Sequence, residues 1–297
     1  MAEGITHYLT PEQLHSLGRL TLLSRYVIEG TLAGAHRSAQ RGSSTEFADH
    51  RQYIQGDDPK FIDWKVFGRT DRHYVRRYED ETNLRVYLVV DNSASMAYGD
   101  GGVSKYDFAC RLAAGIGYVV VKARDSVGLY LHTENIDVTM ESRNSFAHLN
   151  NLLKRLQSAT PGKKTNIAGT LHRIAESIRR RALIIVLSDL YDDTHAVVQA
   201  LAHFRKHHHD VILFHVLDPS EIDFPFRKGA RFEDPETGET LDCDPLALRS
   251  TYQKIFAEFI DEYRQAAASM QIDYRLARTD QELEPFVRAY LDERAKR

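Results

Sequence analysis

Two apolar runs in this sequence stop on a carboxylate. Arg85-Val86-Tyr87-Leu88-Val89-Val90 ends at Asp91, and Ala182-Leu183-Ile184-Ile185-Val186-Leu187 ends at Ser188-Asp189. Asp91 also opens Asp91-x-Ser93-x-Ser95, which puts a carboxylate and two hydroxyls on one short loop. Farther on, Lys164-Thr165-Asn166 precedes a helical pattern, and Thr165 offers a third hydroxyl. Hard oxygen ligands, few of them charged, suit Mg²⁺ or Mn²⁺ rather than Zn²⁺. Mg²⁺ prefers octahedral geometry and retains waters, so a position stays open for a ligand from outside. With only Asp91 and Asp189 facing it, such an ion is electrophilic enough to recruit a third carboxylate from a partner. Taken singly, each residue has a plainer role: strand-end Asp, Ser93, Ser95 and Thr165 are turn and helix-cap formers, and Asp189 competes with Asp192 and Asp193 for the next cap. The metal reading rests on all five arriving at one edge.

That depends on the elements that carry them. Val127-Gly128-Leu129-Tyr130-Leu131 and Ile136-Asp137-Val138-Thr139-Met140 read as strands joined by a tight polar turn. Before them lies a helix with Phe108, Leu112, Ile116 and Val120 on one face, beside the small residues Ala109, Ala113 and Gly117. Helical patterns at about 145–157 and 167–180 lead to the run ending at Asp189, and one near 193–207 leads to a strand from Val211 to Val216. Tyr252, Ile255, Phe256, Phe259, Ile260 and Tyr263 mark a long amphipathic helix. A strand from Ile272 to Leu276 and a closing helix end the chain.

Apolar strands alternating with helices predict an α/β fold: an open, mostly parallel six-stranded sheet with helices on both faces. The expected strand order is 3-2-1-4-5-6, with one antiparallel edge strand. In such sheets ligands sit beyond the carboxyl ends of the strands, where the order reverses. The strands ending at Asp91 and Asp189 are neighbours in that order. Glu236-Thr237-Gly238-Glu239 reads as a hairpin turn within a 220–245 insertion.

Upstream of the sheet, Thr10-Pro11-Glu12-Gln13 combines a capping box with Pro at the first helical position, followed by Leu14, Leu17 and Tyr26 as an apolar stripe. From Gly30 to Asn83 the texture is irregular and partly β, with Tyr74-Val75-Arg76-Arg77-Tyr78 extended. The expected division is therefore an N-terminal module over 1–83 and a sheet domain over 84–297.

At 297 residues, 42% hydrophobic and 27% charged, the chain has the composition of a globular protein that folds without disulfides or structural metals. A net charge of -3 excludes a nucleic-acid-coating protein. Two Cys, Cys110 and Cys243, argue for a reducing compartment, and neither has a CxxC partner for a thiolate metal site or redox pair. The start MAEGITHYL has no basic segment or apolar core, and the apolar stretch Ala113 to Val121 falls far short of the ~20 residues that span a bilayer. No membrane span is expected, and the expected location is cytoplasmic.

Asp91-x-Ser93-x-Ser95, the isolated Thr165 and the strand-end Asp189 resemble the metal-ion-dependent adhesion site of the von Willebrand factor type A fold. Upstream, Glu46-Phe47, Arg51-x-Tyr53, Gly56-Asp57-Asp58, Ile62-Asp63-Trp64-Lys65, Arg69-Thr70 and Tyr78-Glu79 are similar to the signature of the domain-of-unknown-function 58 family. Lys60 and Gly68 stand where that family often has Arg and Ala. The resemblance implies a bacterial or archaeal adaptor without enzymatic activity, working beside a MoxR-type AAA+ ATPase or its client protein. It also implies Mg²⁺ (or Mn²⁺) at Asp91, Ser93, Ser95, Thr165 and Asp189, binding an acidic residue of that partner.

Other constellations carry less. A metal-dependent phosphoester hydrolase is the alternative, but no G-x-S-x-G elbow surrounds Ser93 or Ser95, and His132 is not placed beside them by sequence. A nuclease reading of Gly56-Asp57-Asp58 with Asp63-Trp64-Lys65 competes with ordinary turn chemistry. A structural role is expected there: buried ion pairs among Arg51, Asp63 and Arg69, with Trp64 anchoring this module on the sheet domain. Consecutive His207-His208-His209 cannot share a face, and their expected role is at a helix C-terminus. Lys163-Lys164 and Arg179-Arg180-Arg181 lack interleaved aromatics, so they read as solvated surface and no nucleic-acid partner is expected.

Overall fold

The computed structural model describes residues 4–19, 45–53, 63–80, 84–100, 102–162, 164–227 and 230–295. The chain divides into two compact units: His36–Asn83, and Met1–Ala35 together with Leu84–Arg297. In the smaller unit, β1 (Thr45–Gln52) pairs antiparallel with β2 (Tyr74–Asp80). Between them the helix Trp64–Thr70 is capped by Asp63, whose side chain accepts from the Lys65 and Val66 amides. Trp64 opens this helix. At the first position of a short helix, the described ring it meets is Phe67, three residues on and edge-to-face at 6.0 Å. The Arg51 side chain and Gly56-Asp57-Asp58 lie outside the described residues.

In the larger unit, six strands form one sheet: β3 (Arg85–Asp91), β4 (Ser126–His132), β5 (Ile136–Arg143), β6 (Leu183–Ser188), β7 (Asp210–Leu217) and, after a separate hairpin of β8 (Ala230–Glu233) and β9 (Thr240–Cys243), β10 (Asp273–Arg278). Their order is β10-β7-β6-β3-β4-β5, which is the expected 3-2-1-4-5-6 counted from β3. All neighbours are parallel except β5, which runs antiparallel to β4 at the edge.

The apolar runs are continuous because the central strands are covered on both faces. Val86, Leu88 and Val90 of β3 enter one core, with Leu112 of the helix Lys105–Lys122, Leu149 of the helix Phe146–Ser158 and Val287 of the helix Leu283–Ala295. Tyr87 and Val89 enter the other, with Leu171 of the helix Ile167–Ser177, Leu201 of the helix Thr194–Lys206 and Tyr263 of the helix Pro245–Ser269. Edge strand β5 instead alternates in burial along its length. Among the described residues, no helix is long and apolar enough to cross a membrane.

The N-terminal helices change the expected domain boundary. The capping box forms as read, with the Thr10 amide donating to Gln13 Oε1 at 3.0 Å and the Gln13 amide to Thr10 Oγ1 at 3.2 Å. Leu9 and Leu17 are then fully enclosed in the core that also holds Leu112 and Leu283. Burial of these two leucines draws the first helices into the sheet unit, so residues 1–83 are not one module. Leu17→Ala is expected to lower the stability of the sheet unit by about 2–5 kcal/mol. Urea unfolding followed by far-ultraviolet circular dichroism checks this, and an unchanged midpoint would mean that the helix does not contribute to the core.

Candidate functional site

β3 lies between β4 and β6, at the point where the chain reverses its direction of winding. Its last residue, Asp91, is fully buried. The Ser93 amide donates to Asp91 Oδ1 at 2.9 Å, and the Ser188 hydroxyl, from the end of β6, donates to Asp91 Oδ2 at 2.6 Å. Burial raises the Asp91 pKa above the ordinary carboxylate range; His132 and the two hydrogen bonds only partly offset it, and Asp189 adds to it. The hydroxyls of Ser93 and Ser95 lie 3.0 Å apart, so the loop turns both to the same side.

Asp189 is equally enclosed, but its carboxylate already has a cation. Lys105 Nζ donates to Asp189 Oδ2 at 2.7 Å and to Glu221 Oε1 at 2.6 Å, and Lys105 itself is 0% exposed. Desolvation alone would lower the Lys105 pKa; Asp189 and Glu221 outweigh it and hold the ammonium above its ordinary value. Tyr191 closes this cluster, with its hydroxyl donating to Glu221 Oε1 at 3.1 Å and its ring 4.6 Å from the ammonium. Behind it, burial pushes His215 down to about 4, so the ring is neutral between the Asp189 carbonyl and the Tyr274 hydroxyl. Lys105 escaped the sequence reading because a Lys in the first turn after a Ser cap is ordinarily solvated. Only the chain's return at 189 and 221 encloses it.

The Thr165 loop is tied to the same edge. The Gly162 amide donates to the Asn92 carbonyl at 3.1 Å, and Asn92 Nδ2 to the Thr160 carbonyl at 3.3 Å. Thr165 meets a residue that sequence reading took only for a turn former: its amide donates to Glu236 Oε2 at 3.0 Å. Burial raises the Glu236 pKa; the Thr165 amide opposes this, while Asp189 and Asp91 add to it through their charge. Thr165 Oγ1 and Glu236 Oε1 are both buried without a hydrogen-bond partner. His132, paired with Asp91 across the sheet, is enclosed with neither ring nitrogen hydrogen-bonded.

Among the described residues, no three His, Cys, Asp or Glu side chains converge at metal-ligand spacing. Any cation here would rely on hydroxyls as well as carboxylates. The donor set fits that description: all oxygen, with two orphaned atoms and a desolvated Asp91. A separate groove of about 1020 Å³, walled by Tyr8, Asp100, Arg111, Asp218 and Asp280, holds none of the five sequence-predicted residues.

The family model described as "Protein of unknown function DUF58" matches residues 49–259. The chain belongs to this DUF58 family. It is also 27% identical over 274 residues to the uncharacterized protein Rv1480 of Mycobacterium tuberculosis, covering 91% of this chain and 81% of that one. Among solved structures, an aerotolerance-related membrane protein from Bacteroides fragilis is 16% identical, with a TM-score of 0.49 over 72% of this chain and 98% of that one. The VWA domain of SpRpn10 is 12% identical, with a TM-score of 0.38 over 70% of this chain and 95% of that one. The sheet of this DUF58 chain, ordered β10-β7-β6-β3-β4-β5 with one antiparallel edge strand, is the open, mostly parallel α/β sheet that the sequence predicts.

The Lys105 cluster generates a prediction for stability. Lys105→Met leaves Asp189 and Glu221 enclosed without their cation and should cost about 3–5 kcal/mol. Lys105→Met combined with Asp189→Asn and Glu221→Gln should recover most of that loss. Denaturant unfolding of the single and triple variants checks this; equal losses in both would show that the ammonium acts by packing alone.

Proposed function

We propose that this DUF58 protein is a metal-dependent protein-binding module. Mg²⁺ or Mn²⁺ at Asp91, Ser93, Ser95 and Thr165, with Asp189 behind them, would bind an acidic side chain of a partner. The observation that carries this reading is the pair of buried, unpartnered oxygens on Thr165 and Glu236, with Glu236 within range of the charges of Asp91 and Asp189. Buried polar atoms without partners call for an unseen ion or water, and this set is oxygen only.

When bound, the ion supplies a Lewis-acidic position for a carboxylate oxygen. The protein's own residues do the rest. Asp91 contributes charge from a rigid strand end. Ser188 and the Ser93 amide hold that carboxylate in one orientation. Lys105 neutralises Asp189, which keeps the site short of negative charge and favours an incoming acid. Following the family resemblance, the partner class is a MoxR-type AAA+ ATPase or its client. The phosphoester hydrolase alternative has less support, because the nearby imidazole, His132, is 0% exposed and makes no hydrogen bond to Ser93 or Ser95.

Isothermal titration with Mg²⁺ and Mn²⁺, paired with thermal melting, tests the site. The wild-type protein should bind and gain thermal stability, and Asp91→Ala should do neither while remaining folded. Capture of the partner ATPase that persists unchanged in EDTA and in Asp91→Ala would overturn the adhesion reading.

A further inference from the structure

Glu236 reaches the Thr165 loop from a separate hairpin. It sits in the turn between β8 and β9, a hairpin whose described residues are mostly exposed. Asp234 organises that turn: its Oδ1 accepts from the Glu236 amide at 2.8 Å, its Oδ2 accepts from the Thr237 hydroxyl at 2.9 Å, and its carbonyl accepts from the Gly238 amide at 2.8 Å. Gly238 takes φ +73°, which a side chain would resist. A turn built this firmly presents one residue inward. One Glu236 oxygen is held by the Thr165 amide, and the other is buried with no hydrogen-bond partner, as is the Thr165 hydroxyl.

A solvated loop glutamate would keep both oxygens in water. Leaving one dehydrated is unfavourable unless something pairs with it. The hydroxyl of Thr165 is orphaned at the same place, and one cation touching both would satisfy each. Glu236 is also a carboxylate, the class of ligand the proposed site is meant to take from a partner.

We propose that Glu236 is a tethered ligand of the metal site, occupying the position that a partner's carboxylate must take. This inference rests on the adhesion-site reading above. Its consequence is that the site is closed by its own chain. A partner gains entry by displacing the 230–243 hairpin, and its apparent affinity falls by the fraction of molecules in which the hairpin is open.

The test uses the full chain, Mn²⁺ and acetate as a minimal carboxylate. Mn²⁺ binding is followed by water-proton relaxation, and acetate binding by Mn²⁺-induced broadening of its methyl resonance. Glu236→Gln keeps an acceptor for the Thr165 amide but is a poorer cation ligand. It should weaken Mn²⁺ binding several-fold, raise the relaxation per bound Mn²⁺, and strengthen acetate binding by about tenfold or more. Glu236→Ala should do the same. If wild-type protein binds Mn²⁺ through Asp91 but both Glu236 variants match it in relaxation and acetate broadening, the tethered-ligand inference is overturned and the metal site stands. If neither wild type nor variants bind Mn²⁺, the metal-site reading falls and takes this inference with it.

Discussion

At the carboxyl edge of the sheet, a fully enclosed lysine joins three parts of the chain that are far apart in sequence. Lys105 begins the helix after β3, Asp189 follows β6, and Glu221 lies in the helix after β7. The desolvation of such a cluster is expensive, and its net contribution to stability is correspondingly small. What it supplies is position. An ammonium without water requires both acids, so the loops after β6 and β7 are held against the start of the Lys105–Lys122 helix. The Asp91 loop lies between these constraints, fastened to β6 by Ser188.

Electrostatics and topology combine at this edge. The reversal of winding between β3 and β6 opens a crevice beyond the strand ends, and the loops that border it carry Asp91, Ser93, Ser95 and Asp189. Burial raises the Asp91 pKa, so its ionised form is held at a cost that a cation would offset. Neutral His215 and the paired Lys105 together leave Asp189 neither free nor exposed. The site is therefore less anionic than a count of its carboxylates suggests. That is the condition under which a hard cation keeps appetite for one more acid.

The insertion between β7 and β10 adds a layer that the basic fold does not require. Its hairpin is stiffened by Asp234 and returns a carboxylate to the Thr165 loop. The N-terminal helices form another addition, buried through Leu9 and Leu17 on the opposite side of the chain's sequence from the strands they help to cover. Both show the sheet unit recruiting segments from outside its alternating strand–helix pattern.

Much of this was legible in the residues themselves. Strands buried on both faces must be apolar throughout, so β3 and β6 stand out, and the carboxylates at their ends fall at one edge of the sheet. The observed strand order is the expected one, and the Thr10 capping box and the hairpin at 236–239 are local patterns that depend on few neighbours. Tertiary structure alone decided which polar groups lost their water. Lys105 and Glu236 have the local signatures of a solvated helix start and a surface turn, and neither ends up so. Burial is a property of what the rest of the chain brings alongside, and no spacing within a segment encodes it. For that reason the sequence shows Asp91 and Asp189 closing neighbouring strands, while only the fold shows that Asp189 is paired with Lys105 and that Glu236 reaches the Thr165 amide from the hairpin.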